Sequence, residues 1–482
     1  MKTMNIKFNI ILNMLYQLLV LLVPFVTAPY LSRVLEPDGI GIVSFTVSVQ
    51  SYFIMFAVLG TTGYGTRQIA MYRNDKKMVS KIFWEIELLV LTNTTFVLLL
   101  WFIFIYFTKQ YSIYYLILSL GILSVVFDIS WFYSGIEDFK TTILKNSIVK
   151  ILSIILIFTF VNEKSDLWIY ILLFSLSTFI GNITLWIGLN KKVHLLPFEL
   201  LNPYSHFRAT IEFFIPTIAI SVYLVLDKVL IGLITNNPFQ NGYYEQAHKV
   251  VAIAKSLTFA SVNTVLGSRI AYLFSEKQFD KIKKHIAKSI DLILFIGVGL
   301  TFGIMSVADL FVPLFFGNGY EEVVTLLVTL SPIIIFSGIS SCIGTHYFTP
   351  FGLLKIANKI IITGAVINLL FNLVFIPWFG ALGAIWGTII AEGIIAILFV
   401  KFDDHYLSFG DIFSKIYKKI ISAVVMLLFV KLLSVKLFLS WYGLIALTGF
   451  AILVYLTALL LLKDSSVNVL IRLVKEKFLH RR

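Results

Sequence analysis

QAHKVVAIAKSLTFASVNTVLGSRIAY occupies residues 246–272. The stretch is long enough to cross a hydrocarbon core of about 30 Å as a helix. It carries Lys255 deep inside the apolar run. A cation at membrane depth costs about 2.5–3.5 kcal/mol on insertion scales, so such a residue is a candidate functional group from the outset. Two readings of Lys255 stay open. Either it lines a polar cavity, and the cargo that meets it is anionic, or its ammonium snorkels to the outer headgroups. Ser256, Asn263 and Gly267 recur at i, i+7 and i+11 and form one polar stripe that Lys255 borders.

Similar segments fill the chain. Of its 482 residues, 59% are hydrophobic and 13% charged, against about 25% charged in soluble domains. Apolar runs lie near 10–31, 40–65, 82–107, 111–135, 142–161, 166–189, 210–234, 246–272, 289–316, 322–347, 356–376, 381–401, 416–436 and 440–462. The pattern predicts an all-α polytopic membrane protein with about fourteen transmembrane helices. The first run exceeds a typical signal-peptide core, and Pro29 after Thr27 and Ala28 is a poor cleavage context, so it reads as the first membrane helix. The polar stretches between runs are too short to fold alone.

Loop charge alternates along this span order. Arg67, Arg73, Lys76, Lys77 and Lys81 follow the second span, and Lys277, Lys281, Lys283, Lys284 and Lys288 follow the eighth. Lys401, Lys415, Lys418 and Lys419 follow the twelfth. The opposite loops are poor in cations, as in Asn236-Asn237-Pro238-Phe239-Gln240. Roughly 31 Lys/Arg fall on one side and about 5 on the other. This bias predicts that both termini are cytoplasmic. The stretch Val467 to Phe478 is amphipathic and basic, and is expected to rest on the inner leaflet.

An internal repeat organises the spans. Arg67-Gln68-Ile69-Ala70-Met71-Tyr72 after the second span resembles Arg269-Ile270-Ala271-Tyr272 after the eighth. Both precede a basic loop and then a helix with an early acid, Glu87 and Asp291. Gly135-Ile136-Glu137-Asp138-Phe139-Lys140 matches Pro350-Phe351-Gly352-Leu353-Leu354-Lys355 in position. These matches predict two six-helix lobes in a parallel pseudo-repeat, 1–208 and 209–402. Residues 403–482 would add two C-terminal helices and a basic tail. A central cavity between the lobes and alternating access are the expectation.

Other polar residues lie at membrane depth. Arg33, Asp227, Lys228 and Lys249 are each an interface anchor or, with Lys255 and Asn263, members of a cationic cavity lining suited to phosphate oxygens. Asn13, Gln17 and Gln50 suit helix–helix hydrogen bonds or a cavity. Pro24, Pro29 and Pro216 permit bends. Asp128, Glu392 and Asp227 are candidates for proton or ion coupling, whereas Glu87 and Asp291 are expected to pair with nearby Lys or Arg.

Several classes are disfavoured. No phosphate-cradling glycine loop or nucleotide-binding domain appears, so direct ATP drive is not expected. The seven histidines lack metal-ligand spacing, and Cys342 is the only cysteine, so neither a metal nor another cofactor is expected. The net charge of +13 fits cytoplasmic loops against anionic lipid better than nucleic acid. Asp403-Asp404 is isolated among basic residues, and no external loop has the length that a polysaccharide polymerase or membrane glycosyltransferase tends to carry, so the chain reads as a non-enzyme.

Four stretches carry a family resemblance: Tyr30-Leu31-Ser32-Arg33-Val34-Leu35-Glu36-Pro37-Asp38-Gly39-Ile40-Gly41, Asp128-Ile129-Ser130-Trp131-Phe132-Tyr133-Ser134-Gly135-Ile136-Glu137, Asp227-Lys228-Val229-Leu230-Ile231-Gly232, and Phe379-Gly380-Ala381-Leu382-Gly383-Ala384. In this order they resemble the oligosaccharide repeat-unit flippases of bacterial polysaccharide biosynthesis, within the multidrug/oligosaccharidyl-lipid/polysaccharide exporter superfamily. The resemblance implies a fourteen-helix, two-lobed transporter in the bacterial plasma membrane. Its cargo would be an undecaprenyl-diphosphate-linked oligosaccharide, moved from inner to outer leaflet for O-antigen- or capsule-type polymer. A polymerase and glycosyltransferases would be its partners, and an ion gradient its drive. Carried over by position, Arg33, Lys228 and Lys255 are the candidates for anion contact. The family glycine after Leu35 is Glu36 here, which changes the charge at the outer mouth and bears on the local turn. The alternative is a multidrug antiporter of the same superfamily, which would favour acids in its cavity where this chain has cations.

Overall fold

In hydrocarbon, each backbone N–H and C=O must be satisfied within the protein, and helices do this inside a single segment. A computed structural model describes residues 6–404, 406–434 and 439–467, with the side chains of 6–22 and of several positions in 216–224 and 257–271 outside the description. No strand occurs among the described residues. The helices are α1 (Ile6–Val58), α2 (Thr61–Tyr72), α3 (Lys76–Phe107), α4 (Ser112–Leu123), α5 (Ser130–Gly135), α6 (Phe139–Phe160), α7 (Leu167–Leu185) and α8 (Phe207–Thr235). They continue as α9 (Pro238–Ser275), α10 (Phe279–Phe316), α11 (Glu321–Leu330), α12 (Ile333–Ile343), α13 (Leu354–Phe379), α14 (Ala381–Lys401), α15 (Phe409–Ser434) and α16 (Trp441–Leu461). Each expected span falls on one helix or on two joined by a break. Among the described residues, 10 helical stretches are long and apolar enough to cross a membrane. The basic tail beyond residue 467 lies outside the described residues.

The chain divides into two compact units, one of Met1–Gly232 with Asn237–Gly242, the other of Leu233–Asn236 with Tyr243–Arg482. Most of α8 therefore packs in the first unit. The packing gives the reason. Gly60, at φ +73°, brings the turn before α2 so close to α8 that a Cβ there would lie 2.5 Å from the Thr210 carbonyl oxygen. The rings of Phe56 and Phe214 sit 5.5 Å apart, and those of Tyr64 and Phe213 5.9 Å. The core of this unit gathers Phe83, Trp101, Tyr115 and Phe132.

The two C-terminal helices pack in the second unit, against α10. Val298 meets Ala423, Met426, Leu447 and Tyr455 in one buried cluster. The Tyr455 hydroxyl donates to the Phe295 carbonyl at 2.9 Å. Lys419 is fully buried and reaches Asp291 at 2.8 Å and Asp464 at 3.2 Å. Asp291 thus has the cationic partner expected of it, supplied by α15.

Local chemistry sets the helix starts. The Asp138 carboxylate accepts the Thr141 N–H and hydroxyl at 3.3 and 2.8 Å, capping α6. Lys192 pairs with the same group at 2.6 Å. Burial pushes the Asp138 carboxyl up, but Lys192 and Thr141 outweigh it and hold it below the usual carboxylate range.

Two features concern α1. The helix is kinked at Glu36, where φ is 60° and ψ is 172°. That region is nearly glycine-only, so the chain makes the turn without the glycine and bears the strain. Lys164, before α7, pairs with Glu36 at 2.8 Å and Asp38 at 2.9 Å. Beyond the kink, Pro37 to Gly41 shares the pattern P-x-x-x-G with Pro238 to Gly242 at the start of α9. A Cβ on Gly41 would lie 1.8 Å from the Pro238 carbonyl oxygen, and one on Gly242 1.9 Å from that of Pro37. The contact is reciprocal.

Two substitutions test these points by thermal unfolding of the purified protein. Glu36→Gly removes strain of about 1–3 kcal/mol and loses an exposed ion pair worth about 0–1 kcal/mol. A higher Tm is expected, and a lower one would contradict the strain argument. Gly41→Ala forces backbone apart and is expected to lower Tm and yield; unchanged stability would show that the contact yields easily.

Candidate functional site

The second unit joins two of the candidate residues. Lys255 lies on α9 and Glu392 near the middle of α14. The Lys255 Nζ is 3.5 Å from Glu392 Oε1, with side-chain exposures of 25% and 5%. A lone charge at this depth is costly, and an opposite charge within reach reduces the cost. The separation is longer than the 2.7–2.9 Å of a tight charge-assisted hydrogen bond, so the pair is in contact without being locked.

A polar ladder approaches the pair along α13 and α14. Asn372 Nδ2 donates to Asn368 Oδ1 at 3.1 Å, and Asn368 Nδ2 donates to Thr388 Oγ1 at 3.2 Å. Both asparagines are fully buried. Thr388 lies one helical turn before Glu392. Gly387 admits the Asn372 side chain, because a Cβ there would fall 2.5 Å from Asn372 Oδ1. The i, i+4 asparagines on an otherwise apolar helix are a signal readable in the sequence, though one that a search for charges passes over.

The other candidates are placed as follows. Lys249, also on α9, pairs with Glu245 at 3.3 Å. Arg33 is exposed on α1 and donates to the Pro29 carbonyl at 3.1 Å. Asp227 is buried and Lys228 half-buried on α8, in the first unit. The Asp128 carboxylate accepts the Ser130 N–H at 3.0 Å, just before α5. Gln50 joins α1 to α4, donating to the Leu118 carbonyl at 2.6 Å. Glu87, expected to pair with a cation, instead has both carboxyl oxygens buried without a hydrogen-bond partner among the described residues. The side chains of Asn13, Gln17, Pro216 and Asn263, and the surroundings of Gly267, lie outside the description.

The sequence model of the polysaccharide biosynthesis protein family matches residues 6–267. The chain belongs to that family. Relatives extend the match beyond it. A protein of Escherichia coli (strain K12) assigned as an O-antigen transporter is 25% identical over 395 residues, 79% of this chain and 92% of its own length. A protein of Haloferax volcanii assigned as a low-salt glycan biosynthesis flippase is 25% identical over 52% of this chain and 54% of its own. Among solved structures, lipid II flippase MurJ in an inward closed conformation superposes with a TM-score of 0.65 at 17% identity, covering 90% of this chain and 97% of that one. An inward-facing multidrug resistance MATE family transporter of the MOP superfamily gives 0.62 at 15% identity, covering 78% and 92%. These two likenesses establish the fold.

In this member of the family, the pairing of Lys255 with Glu392 can be tested by a double-mutant cycle on thermal or denaturant stability. Removing one partner strands the other, so Lys255→Met or Glu392→Leu alone is expected to destabilise by about 3–5 kcal/mol. The double variant should recover most of that loss. Additive losses would show that the two groups do not depend on each other.

Proposed function

We propose that the protein is a flippase for undecaprenyl-diphosphate-linked oligosaccharide repeat units. It carries them from the inner to the outer leaflet of the bacterial plasma membrane by alternating access, for an O-antigen- or capsule-type polymer. Both termini are cytoplasmic in this reading, following the loop charge bias, and a polymerase and glycosyltransferases work beside it. The observation that carries the proposal is family membership together with near full-length similarity to an O-antigen transporter. The fold alone does not choose between a flippase and a drug antiporter, because both kinds of neighbour superpose on the chain. The similarity over most of the chain favours the flippase.

The ion pair suggests how an anionic headgroup is handled. A diphosphate offers the Lys255 ammonium more charge than one carboxylate does, so it competes with Glu392 for the lysine. Displaced, the Glu392 carboxylate is left in apolar surroundings, and a proton can neutralise it. Proton entry and headgroup binding are then linked through one lysine. Return of Glu392 to Lys255 would release both. Arg33, Lys228, Lys249 and Asn263 are the further anion contacts proposed in this scheme, and Asp128 and Asp227 remain candidates for ion coupling.

Deletion followed by lipid extraction tests the function. Undecaprenyl-linked repeat units should accumulate on the cytoplasmic leaflet. No accumulation, with altered drug resistance instead, would overturn the proposal in favour of an antiporter. In complementation, Lys255→Ala should export less than Lys255→Arg, and full export by both would remove Lys255 from the mechanism.

A further inference from the structure

A second lysine sits at membrane depth, and the function above does not use it. Lys150 lies 11 residues from Phe139 and 10 from Phe160, the two ends of α6. At 1.5 Å rise per residue that is about 15 Å from either end, beyond the reach of a lysine side chain. Snorkelling does not bring its ammonium to either end of the helix.

Helix geometry gives its direction. Seven residues return to within about 20° of the same face. Ile143 and Ile157, each seven residues from Lys150, are the two buried residues of α6. Ile148, Ile151, Leu152 and Ile155 form an exposed apolar stripe on the other side. Lys150 thus points to the protein side of its helix, into the groove against α7.

That groove holds a cavity of about 160 Å³ lined by Asn146, Lys150, Ser177, Thr178 and Asn182, with Val149 and Gly181. A Cβ built on Gly181 would meet Asn146 Oδ1 at 3.6 Å and Val149 Cγ1 at 3.9 Å, which places the α7 backbone directly against these two α6 side chains. Ser177 and Thr178 donate to the Phe174 carbonyl at 2.9 and 3.2 Å, and Asn182 donates to the Ser124 carbonyl at 3.0 Å. Among the described residues, the Lys150 ammonium has no ion-pair or hydrogen-bond partner. Lys145, five residues earlier, shows the contrast: its ammonium bonds the Thr184 and Ile187 carbonyls at 2.7 and 2.9 Å.

We infer that the α6–α7 groove around Lys150 binds the oxyanion of a sugar headgroup, with the ammonium taking the charge and the amide and hydroxyl groups taking adjacent sugar hydroxyls. The cavity admits a phosphate or one sugar ring, not a whole repeat unit. The oxyanion is a sugar carboxylate or a phosphate of the lipid-linked diphosphate. The inference rests on the flippase reading for the source of its ligand.

The test is calorimetric titration of the full-length protein in lipid nanodiscs with D-glucuronate, inorganic pyrophosphate and uncharged D-glucose. Wild type and Lys150→Arg should bind at least one anion, and Lys150→Met should bind it at least tenfold more weakly. Glucose should not distinguish the variants. Lys150→Met removes an unpaired charge from the membrane, so it should fold and unfold at a Tm no lower than wild type. The anion that loses binding identifies the source, sugar acid or diphosphate. Equal anion binding by wild type and Lys150→Met, or none by wild type, overturns the site. Full export by Lys150→Met, in a strain whose deletion accumulates repeat units, overturns the site and leaves the flippase standing. A deletion strain that accumulates none overturns the flippase reading instead.

Discussion

The hydrocarbon interior penalises a charge without a partner or a polar surround, and the second unit answers this constraint twice. It meets the constraint at Lys255 and Glu392 by bringing α9 and α14 into an ion pair 3.5 Å long. It meets it again at Lys419, which is fully buried between Asp291 and Asp464. The two pairs differ in use. Lys419 has two carboxylates, and Ser465 and Ser466 also bond Asp291, so the cluster clamps α15 and the segment after α16 to α10. Lys255 has a single carboxylate at a longer distance, and it retains some exposure. An interaction satisfied once, loosely, is the kind a competing anion can enter.

Glycine contacts set a second condition. Gly41 and Gly242 each meet the other segment's proline carbonyl at a distance no side chain allows. The chain enters this contact through the left-handed kink at Glu36. Strain at one residue, held by Lys164, is therefore the local cost of a close helix approach a few residues later.

Much of the fold was legible in apolar run lengths, because membrane thickness dictates span length. Lys255 and Glu392 were both visible as costly residues. Their partnership was not, because a helical periodicity gives the face of one helix and says nothing of which distant helix meets it. Lys150 is open to the same depth argument as Lys255, but its groove is formed with α7, and a single-helix pattern does not reveal it. The place of α8 in the first unit depends on Gly60 and the Phe56–Phe214 contact, which no repeat pattern encodes.

Movement of an anionic lipid-linked headgroup across the bilayer is the activity on which these proposals converge. Proteoliposomes containing a fluorescent sugar linked through diphosphate to a polyprenyl chain test it, with a membrane-impermeant quencher reading the leaflet. The expected result is that purified protein renders the inner-leaflet probe quenchable, while an equivalent lipid with a neutral linkage stays protected. Equal protection of both lipids, or equal exposure of both, would contradict it.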